Sequence, residues 1–369
     1  MNRPLRRGLG YPAWRAARAQ WEWVELTGAV FSDTVPSPQP LGSLDGRLRA
    51  WNGFAVKGTK IITAGIGGHD DWAGNEAMQI ELGVDSPTAP TLLKTSSLEA
   101  DYIQNANYYA DGRPTSSHTY RALHYDATRN KVFRMGVGSA YGNGTYQTGS
   151  VDAFDLTTNE WDTANTWTDV PALPVGTYPQ VQHPTTGDIY IFTVSGLYRW
   201  NVSDASYDLL ATLPSGADQV QGAAIVIDLA RDRLVMFGNR YNEGVAVVLF
   251  DLTAETFSVD AMTGTYATRI AAQAGSTAHH NTAIDKYIVR CSDTSTPGNK
   301  VTGGEILTVD PDTWATDAQA TTGGSGIPAC AQENGPGVYG RFGYMPALNG
   351  YAYMPIPSGG VWFLAAPAA

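Results

Sequence analysis

From about residue 115 onward one phrase recurs in this sequence. An apolar run is followed by a polar turn, a second apolar run often ending in Gly, a polar loop, a third run ending in Asp or Asn, and then an aromatic. The third run reads VDAFDL (151–156), LYRWNV (197–202), VVLFDL (247–252) and EILTVD (305–310). Five residues separate Asp155 from Trp161, Asn201 from Tyr207 and Asp251 from Phe257, and Asp310 to Trp314 is a shortened version. The steps between these Asp or Asn positions are 46, 50 and 59 residues. Self-similarity at such a period demands a repeat architecture, because each unit buries its apolar faces only against its neighbours.

The second run is as regular: KVFRMGVG (131–138), DIYIFTV (188–194), RLVMFGN (233–239) and KYIVRCS (286–292). DATRNK (126–131), PTTGDI (184–189) and DLARDR (228–233) precede it as hairpin turns. Four short strands per ~50 residues make one blade of a β-propeller. NGFAV (52–56), KIITAGIGG (60–68) and MQIEL (78–82) form an earlier unit, and RFGYMP (341–346), GYAYMP (350–355) and GVWFLA (360–365) a final one. The expectation is an all-β, six-bladed propeller spanning residues 21–369. The step from Glu81 to Asp155 is 74 residues, which predicts a surface insertion around 83–112. The final unit lacks its outer strand. WEWVEL (21–26) has the length and alternation to supply it, closing the ring and covering an otherwise open blade edge.

Composition agrees with this reading. Charged residues are 16%, with Gly at 40, Tyr at 19 and Trp at 10, which excludes a disordered chain and argues against helix bundles. The net charge of −11 disfavours nucleic acid. Residues 1–20 run against it: Arg3, Arg6, Arg7, Arg15 and Arg18 give +5 with no acid, leaving −16 for the rest. No apolar stretch follows them as in a secretory signal, and no run is long enough for a membrane helix. They are read as a basic arm that docks onto an acidic or structural neighbour in an assembly and stays off its own propeller. Cys291 and Cys330 make neither a zinc site nor a disulfide framework, although a single bridge between adjacent blades is open to them.

The pattern resembles the kelch and galactose-oxidase-like β-propellers. Gly67–Gly68 after a second-strand run and the Asp155–x5–Trp161 spacing with its echoes carry the resemblance. YYADGRPTSSHTYRALHYD (108–126) is similar to kelch-like proteins encoded by tailed bacteriophages. The resemblance implies that Trp161, Tyr207, Phe257 and Trp314 pack between neighbouring blades. It also implies a virion-associated protein, with an extracellular or cell-surface location as the alternative.

Chemistry is sparse. There is no G-x-S-x-G elbow and no H-E-x-x-H metal spacing. GVGSAYGNG (136–144) lies between strands and opens no helix that would cradle phosphate. The repeated S-x-D-x-G-x-x-W box of sialidases is missing, and neither Cys is placed for the crosslink of galactose oxidase. His69, Asp70, Asp71, Asn75 and Glu76 offer oxygens to calcium, but the D-x-D-x-D-G order is missing and a solvated turn is the better reading. The remaining candidates stand where the innermost strands begin: Arg49, Trp51, Asn52, His118, Tyr120, Tyr178, Gln180, Gln221, His279, His280 and Arg341. Convergence of six units would ring the channel mouth with aromatic and polar groups of the kind that bind sugars. The expected function is non-catalytic recognition of a host-surface glycan or protein, without a cofactor. A glycan lyase or oxidase working at the channel mouth is the alternative.

Overall fold

The computed structural model describes all residues except 1–10, 50, 143–147, 172–178, 194, 214–221, 238–244, 272–274, 292–302, 329–337, 357 and 368–369. Six antiparallel sheets follow one another along the chain. After β1 (Trp23–Val30), the first blade is β2 (Ala55–Lys57), β3 (Lys60–Ala64), β4 (Ala77–Glu81) and β5 (Thr91–Lys94). The second is β6 (Ser117–His118), β7 (Leu123–Asp126), β8 (Lys131–Ala140), β9 (Thr148–Asp155) and β10 (Glu160–Trp161), with β6 and β7 sharing the inner position against β8. The third is β11 (Gln180–Gln182), β12 (Ile189–Phe192), β13 (Leu197–Asn201) and β14 (Ser206–Ala211). The fourth is β15 (Ala224–Asp228), β16 (Arg233–Phe237), β17 (Ala246–Asp251) and β18 (Thr256–Ala261). The fifth is β19 (Thr277–Asn281), β20 (Lys286–Arg290), β21 (Ile306–Val309) and β22 (Thr316–Gln319). The last has β23 (Phe342–Met345), β24 (Gly350–Tyr353) and β25 (Gly360–Ala365), and β1 is its outer strand, with Trp23 opposite Leu364 and Leu26 opposite Val361. Innermost strands touch around the ring, and β23 meets β2 where it closes. This is the six-bladed propeller, closed by the N-terminal strand.

Each blade is sandwiched between two others, so its second strand is apolar on both faces. That is why IYIF (189–192) is continuous where a one-sided strand would alternate. Apolar layers fill the blade interfaces: Phe133, Val151, Ile191 and Trp200 between the second and third blades, and Val235, Val289 and Leu307 between the fourth and fifth. All six hairpins between first and second strands turn through a left-handed residue: Gly58, Asn130, Gly187, Asp232, Asp285 and Asn349. The interblade aromatics fall as expected. Trp161 packs with Ala64 and Ala77 of the first blade, Tyr207 against the layer shared with the second, Phe257 against Phe192 of the third, and Trp314 on Phe237's layer of the fourth. Trp23 on β1 repeats the theme against Ile288 and Ile306.

Two expectations change. The insertion begins later than 83, because β5 at Thr91–Lys94 is the blade's own fourth strand. The extra chain follows it and is pinned by Tyr109, whose hydroxyl donates to the Ala73 carbonyl at 2.6 Å. The arm does not stay off the propeller over its described half. A short helix, α1 (Ala13–Ala16), lays Trp14 edge-on against Phe363 at 5.0 Å. Arg15 is buried and donates to the carbonyls of Leu348 and Asn349 at 2.7 and 2.9 Å. Hairpin carbonyls, and no acidic partner, absorb this arginine. Arg3, Arg6 and Arg7 lie outside the described residues, as does Cys330; Cys291 is buried as a thiol. No helix among the described residues is long and apolar enough to cross a membrane.

Candidate functional site

The starts of the innermost strands of the first, second and last blades converge, backbone against backbone. Gly53 and Gly340 let backbones of the first, second and last blades meet: a Cβ on Gly53 would lie 2.4 Å from the Tyr120 carbonyl oxygen and 2.7 Å from Cα of Gly340. Tyr120 N donates to the Trp51 carbonyl (2.7 Å), Gly340 N to that of Tyr120 (3.0 Å) and Phe54 N to that of Gly340 (3.1 Å). Three bulky residues take left-handed backbone here, Trp51 (φ 51°), Tyr120 (φ 46°) and Tyr339 (φ 42°). No hairpin requires this of them. Such conformations cost about 1–3 kcal/mol each and persist only where the surroundings fix them.

Beside this contact the first two blades assemble an aromatic and ionisable cluster. Trp51 follows a helical turn, α2 (Gly46–Arg49), and its ring centroid lies 4.7 Å from that of His118 on β6. His69, from the loop between β3 and β4, stacks parallel to His118 at 6.0 Å. Tyr120 meets His118 edge-on at 5.9 Å and Tyr339 at 5.0 Å. Nε2 of His118 lies 3.5 Å from a carboxylate oxygen of Asp71, the limit of a hydrogen bond, and Nδ1 has no partner. Burial lowers the His118 pKa, Asp71 opposing it, so the imidazole is neutral at pH 7. Trp51, His69 and Asp71 are half-buried and Asp70 is exposed, so the cluster has an outer lip of indole, imidazole and carboxylate over a buried histidine.

The other candidates do not join it. Asn52 is wholly buried and its amide is spent between blades, accepting from Thr119 N (3.0 Å) and Oγ1 (3.2 Å) and donating to the Arg47 carbonyl (3.2 Å). Gln180 donates to the Met135 carbonyl at 2.7 Å and lies 3.1 Å from His124 Nε2. His279 and His280 are neighbours on β19 and so face opposite blades. His279 Nε2 lies 3.0 Å from the Phe342 carbonyl, whereas His280 sits between Asp228 (3.4 Å) and Asp285 (2.9 Å). Arg341, 1% exposed, donates to the Pro355 carbonyl at 3.1 Å. Asn52, Gln180, His279 and His280 fasten blade to blade, whereas the bond of Arg341 stays within the last blade. Among the described candidates, Trp51, His118 and Tyr120 come together and the others do not. Tyr178, Gln221 and the side chain of Arg49 lie outside the described residues.

His69 and Asp71 are the members that sequence reading separated from the site, as a polar turn. Their neighbours in that turn point inward. Glu76 accepts from Trp72 Nε1 (3.0 Å) and Ser96 Oγ (2.7 Å), and Asn75 donates to Ser97 Oγ at 2.9 Å. No group of three metal-ligating side chains forms among the described residues.

Two buried histidines outside the patch make stability pH-dependent. Burial pushes His124 and His279 down to about 4, against their bonds to Gln180 and the Phe342 carbonyl. The unfolded chain protonates near 6.5, so it binds more protons than the fold between these values. Stability is present above pH 6.5 and is lost as pH falls towards 4. Urea melts are expected to show about 2 kcal/mol lost per histidine between pH 6.5 and 5. The double variant His124→Gln/His279→Gln should lose most of that slope; an unchanged slope would place the titration elsewhere.

No family model matches the chain, and no curated protein matches it. Among solved structures it is similar to a chain in the crystal structure of a nidogen/laminin complex, at 9% identity and a TM-score of 0.43, covering 72% of this chain and 78% of that one. A likeness at that level carries no argument about what this chain binds.

Proposed function

We propose that this propeller is a binding module and not an enzyme, recognising a host-surface glycan or protein through the patch of Trp51, His69, Asp71, His118 and Tyr120. The observation that carries the reading is the lip itself. A half-buried indole offers a flat face for a sugar's C–H surface, and Asp71 with the His69 imidazole offers acceptors and donors to hydroxyls beside it. Contacts on an open face bury little, so single-site affinity is modest and many copies on one particle would supply avidity. A kelch-like protein of a phage particle fits that need, and the resemblance of residues 108–126 supports it. Residues 1–10, with Arg3, Arg6 and Arg7, would then meet an acidic structural neighbour.

The His118–Asp71 pair also favours a second reading, a glycan lyase or oxidase with His118 as general base. Incubating the purified protein with the glycans it retains on an array separates the two. The binding reading expects glycans of unchanged mass after prolonged incubation; unsaturated, cleaved or oxidised products would establish the enzyme instead.

A further inference from the structure

We propose that the axis of the propeller holds a small anion against the guanidinium of Arg121. Arg121 precedes β7 at the inner edge of the second blade. Its Nη2 donates to the carbonyl of Ser276, which precedes β19 of the fifth blade. In a ring of six the second and fifth blades face each other, so this side chain crosses the axis. It is only 8% exposed, and its Nε and Nη1 make no hydrogen bond.

Among the described residues the surroundings supply no compensating charge. The guanidinium carbon lies 5.4 Å from the centroid of the Tyr339 ring, a favourable but weak contact for a cation. His279 is near enough for the arginine's charge to lower its pKa further, and is itself neutral at pH 7. Tyr120, whose pKa burial pushes up, is a neutral phenol there. Among the described residues no carboxylate forms an ion pair with Arg121. Burial brings its pKa down to about 10, so it stays cationic at neutral pH. Among the other buried arginines, Arg134 pairs with Asp152 at 2.7 Å and Arg47 lies 3.6 Å from Glu76, while Arg15 and Arg290 each donate to two backbone carbonyls, against one for Arg121.

A buried cation without a counter-charge is costly, and donors left unmade add to the cost. Water would meet the hydrogen-bond demand of Nε and Nη1 but not the charge. An anion meets both, through charge-assisted bonds. Its source is a halide or a small carboxylate. Either would bind the folded ring and not the unfolded chain, and so stabilise it by linkage.

The test titrates sodium chloride, bromide and acetate separately into the full-length protein, holding ionic strength constant with sodium gluconate, a much bulkier anion. The expected result is a saturable rise in melting temperature with halide, acetate or both, lost in Arg121→Met. A response to halides alone assigns a halide, and one to acetate alone a carboxylate. A melting temperature indifferent to all three anions, or an equal response in Arg121→Met, would overturn the proposal. Should that variant not fold, wild-type crystals grown in bromide decide it: an anomalous peak within hydrogen-bonding distance of Nε or Nη1 is expected. Bromide bound only elsewhere, or a carboxylate of the chain itself seated on Arg121, would refute the site.

Discussion

Deleting residues 1–30 is expected to abolish cooperative folding of the whole domain. The segment carries β1, whose pairing with β25 runs from Trp23–Leu364 to Val30–Gly360 and joins the two ends of the chain. Without it the last blade exposes an edge, and the buried side chains of Trp23, Leu26 and Ala29 are lost. Trp23 and Leu26 alone contribute about 1.5–3 kcal/mol each by burial. A domain of this kind has 5–15 kcal/mol in total, and opening a ring loosens every interface in it. Far-ultraviolet circular dichroism during heating should show a broad, shallow change in place of a sharp transition. A peptide of residues 11–30 added in trans should restore the transition in part. A truncated protein that melts at the wild-type temperature would show that the ring closes without β1.

The second large effect is expected from the interblade tryptophans. Trp314 is 5% exposed, lies parallel to Tyr287 at 6.1 Å, has the Arg233 guanidinium 4.9 Å from its ring, and donates from Nε1 to Asp260 at 2.5 Å. Trp161 meets Phe154 edge-on at 5.4 Å and donates to the Asn75 carbonyl of the previous blade at 3.3 Å. Trp314→Ala and Trp161→Ala should each cost about 3–5 kcal/mol, as for large cavities in a packed core. Urea melts measure this directly. A loss below about 1 kcal/mol would mean that these rings do not pin the blades together.

These tryptophans were legible because each follows a third strand at a set distance, and a repeat states its rule several times. The same redundancy exposed the hairpins and the role of residues 21–26. The site was harder to read. Successive side chains on an innermost strand point towards the neighbouring blade on one side and then on the other. His279 and His280 therefore part company although adjacent in sequence. The close approach of Gly53 and Gly340, where the first and last blades meet, is a contact that no local pattern encodes. His69 and Asp71 lay hidden in a polar turn, because only folding brings that turn against β6. The five arginines of residues 1–20 suggested a free arm. What places Arg15 on the propeller is the apolar body of Tyr11 and Trp14 beside it, together with backbone carbonyls that charge counting overlooks.

The claim at the centre of this account is that recognition happens at the Trp51 patch. The most direct measurement is binding of the wild-type protein and of Trp51→Ala to the same glycan array and host-cell surface, with melting temperatures recorded for both. Trp51 is half-buried, its ring tilted against that of His118 at 4.7 Å, and its removal is expected to weaken binding tenfold or more, given about 1.4 kcal/mol for a lost aromatic contact with the ligand, while melting changes little. Undiminished binding by a stably folded Trp51→Ala would contradict the account and move recognition to another face of the propeller.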